Sequence, residues 1–237
     1  MTGRTIVAMG GGGFSDDAAT TPLDEHILDL GREARGRERP RVCFVPTASG
    51  DAESYIAKFY AAFARRSEAS HLQLFRRTVP DLERFLLEQD VIYVGGGNTT
   101  SMLAVWRVHG LDGILRHAWD EGIVLTGLSA GSICWFEGGT TDSFGALAPL
   151  RDGLGFLPGS HSPHHDGEPE RRPTYHRLVA AGELPVGYAA DDGVGLVFHG
   201  TELAEIVSER ADARGYRVER GPDGGAVETA LERRLLG

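Results

Sequence analysis

The chain has 237 residues, with 24 Lys+Arg against 34 Asp+Glu and a formal net charge of −10. That length suits one large α/β domain with a buried core. The acidic balance argues against a nucleic-acid or anionic-membrane partner, since either would need a basic face.

The predicted elements alternate along the chain. A buried strand over 5–13 ("TIVAMGGGG") is followed by a helix over 23–34, a strand over 41–49 and helices over 54–66 and 81–88. A strand over 90–98 ("DVIYVGGGN"), a helix over 100–121 and a strand over 122–131 complete this part. The strand runs are β-branched and do not alternate with polar residues, which suits a sheet covered on both faces. Such βαβ alternation predicts right-handed crossovers and a doubly wound, mostly parallel sheet. Beyond residue 146 the pattern loosens into a polar loop over 160–173, a short helix at "TYHRLVAAG", and C-terminal hairpin strands in "GVGLVFHGTELAEIVSE" and "GYRVERG". No linker or repeat interrupts the chain, so 1–237 is expected to be one domain. Cys43 and Cys134 sit in apolar contexts as small core residues. The opening "MTGRTIVAMGGGG" has no signal-peptide run, and no stretch reaches the roughly 18 apolar residues of a membrane span. A cytoplasmic location is the expectation.

The strand end "GIVLTGLSAG" sets Ser129 inside Gly-x-Ser-x-Gly, with an apolar strand before it and a helical stretch after it. In that context the pentapeptide fits a nucleophile elbow. The turn would lift the hydroxyl above the sheet, and the amide of Ala130 would face a developing oxyanion. The plainer alternative is that small residues simply let strand and helix pack closely.

A serine hydroxyl needs a base. His161, His164 and His165 crowd "GSHSPHHDGEPERR", and Pro163 stiffens the approach to His164. The other histidines have helix-face or strand-end settings. The base in turn needs an acid to fix its tautomer. Asp192, at a loop-to-strand boundary in "YAADDGVGLVF", is attractive, with Asp142, Asp166 and Asp191 as rivals that spacing does not separate. The glycine-rich strand ends "VGGGNTTSML" and "MGGGGF" lack the Lys-Ser/Thr of a P-loop and the full spacing of a dinucleotide fingerprint, so no cofactor is expected. A backbone amide at Gly96 or Gly97 is instead a candidate second oxyanion donor. No metal is expected either: the His164-His165-Asp166 cluster has no cysteine beside it, and no spaced ligand pair sits on a helix.

In this order, "YVGGGNTTSML", "GLSAGS", "SPHHDGEPERRP" and "GYAADDGVGLVF" resemble peptidase family S51, which contains α-aspartyl dipeptidase (dipeptidase E) and cyanophycinase. The likeness runs from "IVAMGGGGF" to "LVFHG". It implies a Ser-His-acid hydrolase on a flavodoxin-like sheet related to class I glutamine amidotransferases. By motif, Ser129 matches the nucleophile and His164 the base. Asp192 stands where these enzymes place a glutamate or related acid, and an aspartate is one methylene shorter. The amides of Ala130, Gly96 and Gly97 match the oxyanion hole, and Asn98 lies in the same loop as a substrate-binding candidate. Family dipeptidases that select an N-terminal aspartate use a nearby arginine, for which Arg171 and Arg172 are the candidates. The implied activity is hydrolysis of short peptides through an acyl-enzyme, dipeptides with an N-terminal acidic residue among them. Alternatives are a cyanophycinase-like hydrolase of β-aspartyl-arginine peptides and a non-catalytic small-metabolite-binding module of the same fold. Relatives occur as monomers and as dimers, so a homodimer is one expectation.

Overall fold

The computed structural model describes residues 3–15 and 19–237. Five strands come from the first half: β1 (Thr5–Met9), β2 (Arg41–Val45), β3 (Glu68–His71), β4 (Val91–Val94) and β5 (Val124–Leu128). Every residue of β1, β4 and β5 is buried. Strands apolar on both sides must be covered on both sides, and the core shows it. Ile6 and Ala8 of β1 enter one apolar cluster, while Val7 and Met9 enter the other. A one-residue slip would exchange these faces, so side-chain burial fixes the register.

Helices α1 (Pro22–Arg35) and α2 (Glu53–Phe63) cover one face through Ile27, Leu28, Phe59 and Phe63. Helices α3 (Leu82–Leu87), α4 (Thr99–His109) and α5 (Leu111–Asp120) cover the other through Leu86, Trp106, Leu115 and Trp119. Burial of each such side chain contributes about 2 kcal/mol, against about 1 for a typical hydrogen bond. Thr21 and Asp24 form a capping box at the start of α1, and Gly36 closes it at φ 65°. The single helix expected over 100–121 is two helices. Gly110, at φ 66°, turns left-handed and caps α4 before α5 begins. Strand β3, short and only half-buried, has no strong sequence signal and was not anticipated.

A one-turn helix, α6 (Ala130–Ile133), follows β5. The rest of the chain supplies β6 (Phe136–Phe144), β7 (Ala146–Leu150), β8 (Leu157–Ser162), α7 (Arg171–Ala180), β9 (Gly187–Ala190), β10 (Val194–His199), β11 (Glu202–Ser208), β12 (Gly215–Arg220), β13 (Ala226–Ala230) and β14 (Arg234–Leu235). The larger sheet has the order β14-β11-β10-β1-β5-β4-β2-β3 and is parallel except for the two pairings of β10. This is the α/β fold expected, with the β10–β11 hairpin lying between β1 and the edge strand β14.

The second sheet, β13-β12-β9-β8-β6-β7, departs from the expectation of a loosened tail. The supposed polar loop over 160–173 is shorter, because β8 claims residues through Ser162 and α7 begins at Arg171. Polar side chains on these strands are buried yet paired: Ser160 Oγ lies 2.8 Å from the Tyr175 hydroxyl, and Thr140 Oγ1 2.8 Å from Ser162 Oγ. One apolar cluster continues from the larger sheet into the second through Phe136, Leu157 and Ala190. Among the described residues no helix is long and apolar enough to cross a membrane.

Candidate active site

In open α/β sheets ligands collect beyond the carboxyl ends of strands, and β5 ends at Ser129. Its backbone, at φ 54° and ψ −117°, is left-handed for a residue that is not glycine. Such a conformation costs on the order of 1–3 kcal/mol and persists only where the surroundings enforce it. They do so by close approach. A Cβ on Gly131 would run into the Val94 carbonyl and stand 2.9 Å from Val94 Cβ. One on Gly127 would strike the Gly131 carbonyl and come within 2.7 Å of the Val94 carbonyl oxygen. Both flanking glycines are therefore required by packing as well as by the turn. The Ser129 carbonyl accepts from the Ser132 and Ile133 amides at 2.9 and 3.0 Å, which starts α6.

His164 comes from the turn between β8 and α7 and is also left-handed, at φ 52°. Its amide donates to the Gly10 carbonyl at 3.1 Å. Gly10 follows Met9, and Met9 pairs with Leu128, the residue before Ser129. The base-bearing turn is thus anchored one strand away from the serine, about 4.8 Å in sheet spacing. His164 Nδ1 lies 2.7 Å from Asp192 Oδ1, with the two side chains 22% and 35% exposed. The hydrogen bond to His164 holds the Asp192 carboxyl below the usual carboxylate range. Burial opposes this, while the charges of Arg210 and Arg171 assist it.

The shorter reach of an aspartate is met by backbone closeness. A Cβ on Gly11 would collide with Asp192 Oδ1 and sit 2.7 Å from His164 Nδ1, and one on Gly167 would collide with Asp192 Oδ2. Asp192 is also fixed along its backbone: its amide donates to Asp166 Oδ1 at 2.8 Å and its carbonyl accepts from Arg210 at 3.1 Å. Gly11, dismissed from sequence as part of a failed cofactor cradle, is a spacer that lets the pair close. "MGGGGF" after a strand was the available signal.

The rival acids have other occupations. Asp191 accepts from the Arg214 amide and the Tyr216 hydroxyl, and burial raises its pKa. Asp166 binds Arg210 and the Asp192 amide. Asp142 lies exposed on β6. Of the neighbouring histidines, His161 is fully buried against Phe136, and burial pushes its pKa down to about 3. His165 faces Glu228, away from Asp192.

Gly96 borders Ser129 closely, since a Cβ there would stand 3.3 Å from Ser129 Cβ. Its amide donates to the Tyr55 hydroxyl at 3.4 Å. Gly97 is exposed and left-handed at φ 137°, where any Cβ would strike the Ala48 carbonyl. Ala130, the first residue of α6, has an amide with no acceptor inside its own helix. The Asn98 side chain caps α4, accepting from the Ser101 amide at 2.9 Å and donating to the Ser143 carbonyl at 3.0 Å. Arg171 is 2% exposed, bonded to Glu168 at 2.7 Å and to the Thr140 carbonyl at 3.0 Å. Arg172 pairs with Glu228 and lies over the Tyr216 ring. Buried Arg171 would have to give up these partners to receive a substrate carboxylate, whereas the Arg172 side chain is half-exposed and has further N–H donors beyond the one on Glu228.

An α/β sheet with a strained serine at a strand end and a histidine–aspartate pair anchored on the neighbouring strand is compatible with a serine hydrolase. Comparison with known proteins narrows that class. The family model for peptidase family S51 matches residues 6–206. A Bacillus subtilis (strain 168) protein named as the uncharacterized peptidase YgaJ is 52% identical over 216 residues, covering 91% of this chain and 92% of that one. A Drosophila melanogaster protein named as a probable alpha-aspartyl dipeptidase is 30% identical over 204 residues, covering 80% and 79%. The crystal structure of a peptidase from an acI-B1 Actinobacterium has the same fold, with a TM-score of 0.69 at 18% identity over 98% of this chain and 95% of that one. A putative peptidase E protein from Listeria monocytogenes EGD-e gives 0.61 at 17% identity, over 97% and 100%. The chain belongs to peptidase family S51 and is a serine-type peptidase.

Proposed function

We propose that the chain hydrolyses short peptides through an acyl-enzyme on Ser129, with His164 as the base and Asp192 as its orienting acid. The observation that carries this reading is the 2.7 Å His164–Asp192 contact, anchored through Gly10 beside the strand that ends at the strained Ser129. Asp192 occupies Nδ1, which leaves Nε2 to serve the hydroxyl. Ser129 Oγ attacks the peptide carbonyl carbon and its proton passes to Nε2. The tetrahedral oxyanion is held by the amides of Ala130 and Gly97, since that of Gly96 is turned to Tyr55. As the C–N bond breaks, Nε2 returns the proton to the departing amine. Water then attacks the ester, gives its proton to the same nitrogen, and Ser129 is released with a free acid.

The Drosophila relative's name supports an N-terminal acidic residue as the preferred substrate. The buried contacts of Arg171 argue against it as the reader of such a preference, which leaves half-exposed Arg172 as the candidate of the two. Hydrolysis of Asp-X, X-Asp and neutral dipeptides by the wild-type chain and Ser129→Ala tests the proposal. Turnover of at least one dipeptide class is expected, with a loss of about 10⁴-fold or more in the variant. Full activity in Ser129→Ala would refute the assignment.

A further inference from the structure

Outside these residues, three metal-type donors meet from three separate elements. His165 lies in the turn beside His164, His176 on α7 and Glu228 on β13. Both imidazole Nε2 atoms stand 2.7 Å from the same carboxylate oxygen, Glu228 Oε2. All three donor atoms fall within 4.8 Å of one another. The His165 side chain is fully buried and that of Glu228 is 8% exposed, whereas that of His176 is 31% exposed, so the cluster has one open side. Arg172 holds the other oxygen, Oε1.

Two neutral imidazoles and one carboxylate are a donor set that suits Zn²⁺ and its transition-metal neighbours. A tetrahedral ion needs ligand atoms about 3.3 Å apart, given bonds near 2.0–2.1 Å. Both 2.7 Å imidazole–carboxylate separations would open by about half an ångström around the ion, and the open side at His176 leaves the fourth position to water. A ligating carboxylate normally has its remaining oxygen hydrogen-bonded, which is the part Arg172 already plays. We propose that His165, His176 and Glu228 form a binding site for one divalent transition-metal ion, Zn²⁺ being the fit by donor type. The ion would tie hairpin β12–β13 to the turn that carries His164. The sequence carries no signal for this site, since Glu228 stands 63 positions from His165 and 52 from His176. The site is independent of the proposed hydrolysis.

The test strips the full chain with a chelator, dialyses it, and titrates it with zinc chloride. Bound zinc is read by elemental analysis and calorimetry, with the thermal midpoint as a second readout. One tightly held ion per chain and a raised midpoint are expected. His176→Ala and Glu228→Gln should lose both effects, while His164→Ala retains the ion. Arg172→Ala should weaken binding about 10–100-fold. If Glu228→Gln does not fold, the half-exposed His176→Ala decides. A wild-type chain that retains no zinc, or a folded His176→Ala that retains it in full, overturns the proposal and leaves a hydrogen-bonded cluster only.

Discussion

Ser129 and His164 share a left-handed backbone, at φ 54° and 52°, but different physics holds each one. The serine side is built by exclusion: Gly127, Gly131 and Val94 meet so closely that no side-chain atom fits between them. The histidine side is built by polar partners, from the Gly10 carbonyl through Asp192, Asp166 and Arg210. Sterically enforced geometry is insensitive to pH and salt, whereas a polar network responds to both. The nucleophile should therefore fail by overpacking and the base by loss of a partner.

The largest effect expected on the polar side is that of Asp192→Asn. It preserves shape but favours the wrong imidazole tautomer, so turnover should fall about 10⁴-fold with little change in melting temperature. Activity within about tenfold of wild type would show that another group orients His164.

Two carboxyls, Asp24 and Asp192, respond to pH with opposite signs. Asp24, buried beneath β4 with Tyr93 donating to it at 3.1 Å, is raised by burial from 3.8 to about 7. The native state then binds this proton more tightly than the unfolded chain. The contribution of Asp24 to stability is full below about pH 4 and is lost as pH rises through about 7, by up to about 4 kcal/mol. Asp192, depressed below 3.8, contributes stability above that value and loses it as pH falls through its own lower pKa. Urea denaturation of wild type and Asp24→Asn between pH 4 and 8 checks the first term, and a wild-type profile no steeper than the variant's would remove it.

On the steric side, Gly131→Ala should cost about 3 kcal/mol in chemical denaturation. Gly113→Ala, in α5 with open space around it, should instead stabilise by about 0.5–1 kcal/mol. Equal effects at the two glycines would mean that crowding does not set the elbow. The smallest effect on activity is expected at the buried arginine. Arg171→Ala should cost roughly 2 kcal/mol, because one partner, Glu168, is half-exposed and the Thr140 carbonyl is left unpaired. KM values across the dipeptide panel should not change. A selective rise for carboxylate-bearing dipeptides at unchanged stability would restore Arg171 to substrate recognition.

The same contrast decides what could be read in the sequence. The parallel strands were legible because runs such as "VIYV" have one physical solution, burial on both faces. The elbow was legible because glycines at fixed offsets from a serine report close approach. Of the second sheet only "GYRVERG" (β12) was legible, since "GGTTDS" and "LPGSHS" look like loop and become strand through partners such as Tyr175. The choice of Asp192 over Asp191 depended on which carboxylate the fold turns towards His164, and neighbouring positions carry no such information. Arg171 and Arg172 read as loop residues but open α7; Glu168 is a local i,i+3 partner of Arg171, whereas only the tertiary structure brings Glu228 to Arg172.

The most direct measurement is mass spectrometry after treatment with a serine-directed phosphonofluoridate, run on the wild-type chain and on His164→Ala. The account predicts a single adduct on the Ser129 peptide that forms readily in the first protein and is nearly abolished in the second. An adduct on a different residue, or labelling of Ser129 at the same rate without the imidazole, would contradict it.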